Sequence, residues 1–109
     1  MGRLKQKQLE KESHLRGSSG EPAIDGGYLY IYLNNDLLFI AGIPSPNLMA
    51  EKSSDSLVEN YEEFTDKDDN NYAISIFSSI YDIYWELNEY PDDDNIINSI
   101  RYEVKYNEH

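Results

Sequence analysis

The sequence predicts an α+β fold: an antiparallel β-hairpin and a further strand, with a long amphipathic helix laid on one face of the sheet. Three observations carry this. Two aromatic and β-branched runs, 28–33 and 37–43, flank the polar triplet Asn34-Asn35-Asp36. Apolar residues at Ala73, Ile76, Phe77, Ile80, Ile83, Tyr84 and Leu87 recur at spacings of three and four. Near the C-terminus, Ile100, Tyr102, Val104 and Tyr106 alternate with Arg101, Glu103, Lys105 and Asn107.

The hairpin comes first. Tyr28-Leu29-Tyr30-Ile31-Tyr32-Leu33 has the composition that suits a pleated, half-buried surface. Asn and Asp tolerate the left-handed backbone of a tight turn, so residues 34–36 reverse the chain into Leu37–Ile43. Pro44 and Pro46 end this second strand because neither can donate to a ladder. Residues 44–70 are polar; Ser53 or Asp55 is placed to cap a short helix through Phe64, with Leu57, Tyr61 and Phe64 on one side.

The helix is expected over 71–88. Ser75, Ser79, Asp82 and Glu86 form a polar stripe opposite the apolar one, and strand alternation over the same span fails at Ser78 and Asp82. Pro91-Asp92-Asp93-Asp94 stops it. The alternation from Ile100 onward has period two, the signature of a strand with one buried face.

The chain has 109 residues, enough for one domain, divided as a flexible basic tail and Gly/Ser linker at 1–27 and a small α/β domain at 28–109. The linker reading rests on Gly17-Ser18-Ser19-Gly20. The net charge of −12 is uneven: Arg3, Lys5, Lys7, Lys11 and Arg16 crowd the first 16 residues. An acidic body repels phosphates, so nucleic acid is not an expected partner. The same charge either keeps the surface solvated or docks on a basic partner. With no cysteine, no signal-like apolar stretch and no membrane-length apolar run, an intracellular, soluble chain without membrane insertion is expected.

Catalytic chemistry finds little support. The two histidines, His14 and His109, lie near the ends of the chain, and neither a zinc ligand set nor a nucleophilic triad can be assembled. Asp66-x-Asp68-x-Asn70 resembles the start of a calcium loop, but its sixth position is Asn71 instead of Gly and its twelfth is Phe77 instead of Glu. No catalytic, metal or cofactor-binding residue is expected, and the chain is not expected to be an enzyme. The ten tyrosines suit protein contacts, since each has an apolar ring and a polar tip. Tyr81 and Trp85, on the helix flank, are expected interface residues, as are Ile100, Tyr102 and Val104 on the last strand.

The order strand, turn, strand, helix, strand resembles the first half of the roadblock/longin superfamily fold. Gly27-Tyr28-Leu29-Tyr30-Ile31, Asn34-Asn35-Asp36, Leu37-Leu38-Phe39-Ile40-Ala41-Gly42 and Ser99-Ile100-Arg101-Tyr102-Glu103-Val104 carry that resemblance. Within the superfamily the pattern is most similar to the Ragulator-type (LAMTOR) scaffolds, the fourth-subunit group above all. The resemblance implies a non-catalytic adaptor that heterodimerises with a roadblock-type subunit. It would support Rag GTPase and TOR signalling on the cytosolic face of the lysosome or vacuole. The alternative is a small acidic inhibitor of phage anti-defence, nucleic-acid-mimic or toxin-immunity type. Rising salt separates the two, because an inhibitor seated in a basic cleft loses affinity and a scaffold paired through apolar faces does not.

Overall fold

The structure, a computed structural model, describes residues 13–49 and 57–107. Helical backbone at 13–15 leads into β1 (Arg16–Ser18), β2 (Gly27–Leu33), β3 (Asp36–Ile43), β4 (Val58–Thr65), β5 (Asn71–Ser78), β6 (Ile83–Glu89), the short helix α1 (Asp94–Ile97) and β7 (Ile100–Tyr106). Sheet A has the order β1-β6-β5-β4 and sheet B the order β3-β2-β7, every pairing antiparallel. The fold is therefore β, not α+β.

The long helix expected over 71–88 is absent; these residues form β5, a reversal at 79–82 and most of β6. Two physical features produced the false period. β5 lies between β4 and β6 and is buried on both faces, so hydrophobicity does not alternate along Tyr72-Ala73-Ile74-Ser75-Ile76. A short, doubly buried apolar run is indistinguishable from a helix segment by periodicity alone. In addition, the inward parity changes across the reversal. Tyr72, Ile74 and Ile76 face the core from β5, and Ile83, Trp85 and Leu87 face it from β6, with Ile76 registered on Trp85 and Ile74 on Leu87. Even positions followed by odd ones read as spacings of three and four. The reversal lacks Gly, Pro and Asn and is held by side chains instead. Ser79 Oγ accepts from Tyr81 N–H and Asp82 N–H (3.1 and 3.2 Å), and Ser79 N–H donates to the Asp82 carbonyl (2.9 Å).

The short helix expected to end at Phe64 is also corrected. Val58–Thr65 is a strand in which Glu59, Tyr61 and Glu63 are exposed while Phe64 is buried. The positions proposed to cap that helix, Ser53 and Asp55, lie outside the described residues. Part of the stretch read as linker belongs to the body. Gly17 registers on Trp85 in sheet A, and Leu15 and Ala23 are buried.

β2 and β3 make the hairpin, with Asn34 in the left-handed region (φ 58°) and a bulge after Ile31. β7 pairs with the other side of β2. Leu29, Ile31, Ala41, Ile43 and Ile100 of sheet B join Phe64, Tyr72, Ile74, Ile76, Ile83, Trp85 and Leu87 of sheet A in one core cluster. A stack of rings crosses the core, Phe39 on Phe64 (4.4 Å between centroids) and Phe64 on Tyr72 (4.9 Å).

Candidate protein-docking face

The face of sheet A that points away from sheet B is the candidate site. Its residues follow from register. One row across the strands reads Glu59, Phe77, Tyr84 and Ser18; the next reads Tyr61, Ser75, Glu86 and Arg16; a third sets Glu63 beside Ala73 and Glu89. The central strand contributes small residues, Ala73 and Ser75, both buried between the flanking side chains. The flanks then supply Glu59, Glu63, Glu86 and Glu89 around the exposed rings of Tyr61 and Tyr84. Arg16 is the one cation in these rows, and it lies on the edge strand.

Two depressions mark the face. One of about 490 Å³ is lined by Glu63, Phe64, Thr65, Asn71, Tyr72 and Glu89, placing two carboxylates at its walls. The other, of about 500 Å³, lies among Arg16, Ser18, Phe77, Tyr84 and Glu86, where the Phe77 and Tyr84 rings stack at 4.9 Å. The Tyr61 hydroxyl donates to Glu63 (3.0 Å). That bond, followed by burial and the charges of Glu63 and Glu89, pushes the Tyr61 phenol above its ordinary range. The field of Glu89 therefore reaches Tyr61 across β5, and an incoming cation entering here meets several carboxylates at once.

Two aspartates shape the ends of the sheet. Asp82 accepts from Ser18 Oγ (2.6 Å), Gly20 N–H (2.7 Å) and Ile83 N–H (2.7 Å), tying β1 to the β5–β6 reversal. Asp66 accepts from Asp68 N–H, Asn70 N–H, Asn70 Nδ2 and the Tyr72 hydroxyl, which closes the β4–β5 loop. The Asp66 carboxylate of the calcium-like sequence is thus engaged within its own loop. Among the described residues, no group of three His, Asp or Glu side chains is placed to hold a metal ion.

Burial alone would raise both carboxyls, but the hydrogen bonds outweigh it and each titrates below its ordinary value of 3.8. A depressed folded pKa contributes stability that is complete above the ordinary range and is lost as pH falls through the folded value. Urea midpoints are therefore expected to drop on acidification below about pH 4, and Asp66→Asn with Asp82→Asn is expected to flatten that limb. At neutral pH, Asp82→Ala is expected to lower unfolding stability by about 1–2 kcal/mol, discounted for its partial exposure.

The residues expected at an interface are dispersed. Trp85 and Ile100 are buried in the core, and Tyr102 and Val104 are half-buried with their side chains packed on it. Tyr81 sits on the β5–β6 reversal and is 65% exposed. The docking face is not evident in the sequence because its residues lie on four strands, β1, β4, β5 and β6, where the sequence suggests a linker and helices. The alternation Glu59, Tyr61, Glu63 against Val58, Asn60, Glu62, Phe64 was the available signal.

Fold and face together define an antiparallel two-sheet β domain with one acidic, aromatic outer surface. The chain matches no family model, no curated protein and no solved structure. No helix among the described residues is long and apolar enough to cross a membrane.

Proposed function

We propose that this chain is a non-catalytic binding protein that seats the outer face of sheet A on a basic site of a protein target, in the manner of a small acidic inhibitor. The observation that carries the reading is the set of four glutamates around Tyr61, Phe77 and Tyr84 on one sheet face, with its single cation at the margin. Exposed tyrosines are suited to anchor such a contact, and surrounding carboxylates steer a basic partner toward it.

Size decides how the contact works. Three strands of seven or eight residues, about 4.8 Å apart and rising about 3.3 Å per residue, with the three-residue β1 beside them, present a plane of roughly 400 Å². A standard interface buries about 800 Å² per partner. The target must therefore also cover neighbouring segments, and exposed Tyr81 at the end of the sheet is placed to be one of them. A small, charged contact depends on electrostatics for rate and specificity, so salt weakens it. A roadblock-type scaffold would draw on a long helix across the sheet, and residues 71–88 supply strands instead.

The test compares the wild-type chain with Glu63→Lys/Glu89→Lys, each immobilised in extract of the native host. Proteins held by the wild type, released as salt rises and lost by the variant are expected to be basic. Retention that neither salt nor charge reversal alters would reject the proposal.

A further inference from the structure

Hydrogen-bond parity sets the direction of the backbone groups on β7. Asn34 N–H donates to the Ser99 carbonyl and Asn107 N–H to the Gly26 carbonyl (2.9 and 3.0 Å). With the β2–β7 register, these bonds make Tyr28–Lys105, Tyr30–Glu103 and Tyr32–Arg101 the hydrogen-bonded pairs. The backbone groups of Ile100, Tyr102, Val104 and Tyr106 therefore point away from β2, along an edge with no partner strand among the described residues. The side chains of Ile100, Tyr102 and Val104 pack on the core, while their peptide groups face outward along the edge.

The other long edges are obstructed. On β3, the hairpin is bulged and Gly42 is already satisfied. Its N–H donates to Glu62 Oε2 and its carbonyl accepts from Asn60 Nδ2, both at 2.9 Å. On β4, the same parity argument opens Glu59, Tyr61 and Glu63. The outer face of β4 carries Glu59 and Glu63 and no cation, so two-fold pairings centred on any of residues 59–63 bring these acids opposite or diagonal to one another, and like charges oppose pairing. β1 has three residues. β7 has seven, pairs with β2 in unbroken register, and carries both signs of charge on its outer face.

We propose that β7 is a homodimerisation edge, pairing antiparallel with β7 of a second copy about a two-fold axis through Val104. Register selects this arrangement. Centred on Glu103, the pairing would put Glu103 against Glu103 and Arg101 against Lys105. Centred on Tyr102, it would call on Arg101, which already donates through Nε and Nη2 to the Asn34 carbonyl (3.1 and 2.8 Å). Centred on Val104, it sets Glu103 against Lys105 of the second copy, twice. Lys105 lies over the Tyr30 ring at 4.3 Å and holds Glu103 of its own strand at 4.0 Å in an exposed pair, and neither contact engages its ammonium N–H groups at hydrogen-bond distance. Tyr102 then lies opposite Tyr106, and the pairs Tyr102–Tyr106, Val104–Val104 and Tyr106–Tyr102 exchange the open backbone bonds. The two three-stranded sheets become one of six strands.

Charge swapping tests both the dimer and its register. Sedimentation of the full chain is expected to show a dimer. Glu103→Lys places lysine opposite Lys105, and Lys105→Glu places glutamate opposite Glu103. Each variant alone is expected to dimerise on the order of tenfold more weakly. Mixed in equal amounts, the two variants restore both opposite-charge pairs and are expected to form a heterodimer as tight as the wild type. Circular dichroism of each variant confirms the fold, since the exposed pair contributes little to it. A wild type that stays monomeric, a single variant that dimerises undiminished, or a mixture that stays monomeric overturns the proposal.

Discussion

Replacing Trp85 with alanine is expected to lower the unfolding free energy by about 3–5 kcal/mol, the range for emptying a large aromatic from a packed core. Trp85 is 6% exposed on β6, registered on Ile76 of β5 and on Gly17 of β1. Its ring also meets Tyr102 of β7 at 5.5 Å and a 52° tilt, so it joins the two sheets. Tyr102 is held in turn by its hydroxyl donating to the His14 carbonyl (2.9 Å). Burial raises the Tyr102 phenol well above its usual range and keeps that donor protonated at neutral pH. Gly17 explains why the ring can lie so close to β1, since a Cβ there would stand 2.5–2.7 Å from three of the indole atoms. Truncating Trp85 therefore leaves a void beneath β1 and removes a link between sheets. Urea titration followed by circular dichroism measures the loss. In the wild type the same indole, the only tryptophan in the chain, is expected to emit at short wavelength and shift to the red on unfolding. A loss below about 1 kcal/mol would place Trp85 outside the core.

Gly27→Ala is expected to cost about 1–3 kcal/mol or more, because the added methyl meets backbone, which has no rotamer to change. A Cβ at Gly27 would collide with the Lys105 carbonyl oxygen and stand 3.1 Å from the Tyr106 Cα. Gly27 and Tyr106 form the last registered pair of the β2–β7 ladder, just before Asn107 N–H bonds the Gly26 carbonyl. The alanine must push β7 off β2 at that end. Melting temperature reads the total cost, and amide exchange is expected to rise first at Asn107 and Lys105, whose N–H groups bond to β2. A similar rise at Ile74 or Ile76 of sheet A, whose N–H groups bond to β4, would instead indicate global destabilisation. Since β7 is also the proposed dimer edge, Gly27→Ala is expected to weaken dimerisation together with stability, whereas Glu103→Lys affects dimerisation alone.

Some elements were legible because their signals are local. The hairpin declares itself through two β-prone runs and an Asn-rich turn whose first residue does adopt positive φ. β7 shows clean alternation because its outer face meets solvent. β5 and β6 failed for the opposite reason. One is covered on both faces, and the turn between them draws its hydrogen bonds from Ser79 and Asp82 without the residues that usually mark a reversal. The β-branched and aromatic richness of Ile74, Ile76, Phe77, Ile83, Tyr84 and Trp85 was the counter-signal, and it outweighs a period read across a hidden turn. The four glutamates of the docking face were visible only as scattered acids, since their neighbourhood exists only once β4, β5 and β6 are paired.

By itself, the sequence determined the β2–β3 hairpin, the turn that Asn34 permits, the alternation of β7, and that its body is acidic and rich in tyrosine. Tertiary structure alone decided that residues 71–88 are two strands, that Gly17 lies against Trp85, and which face gathers the carboxylates. The physical reason is that strands take their partners from distant residues. Whether an apolar run is a helix face or a doubly covered strand depends on neighbours that do not appear within the run.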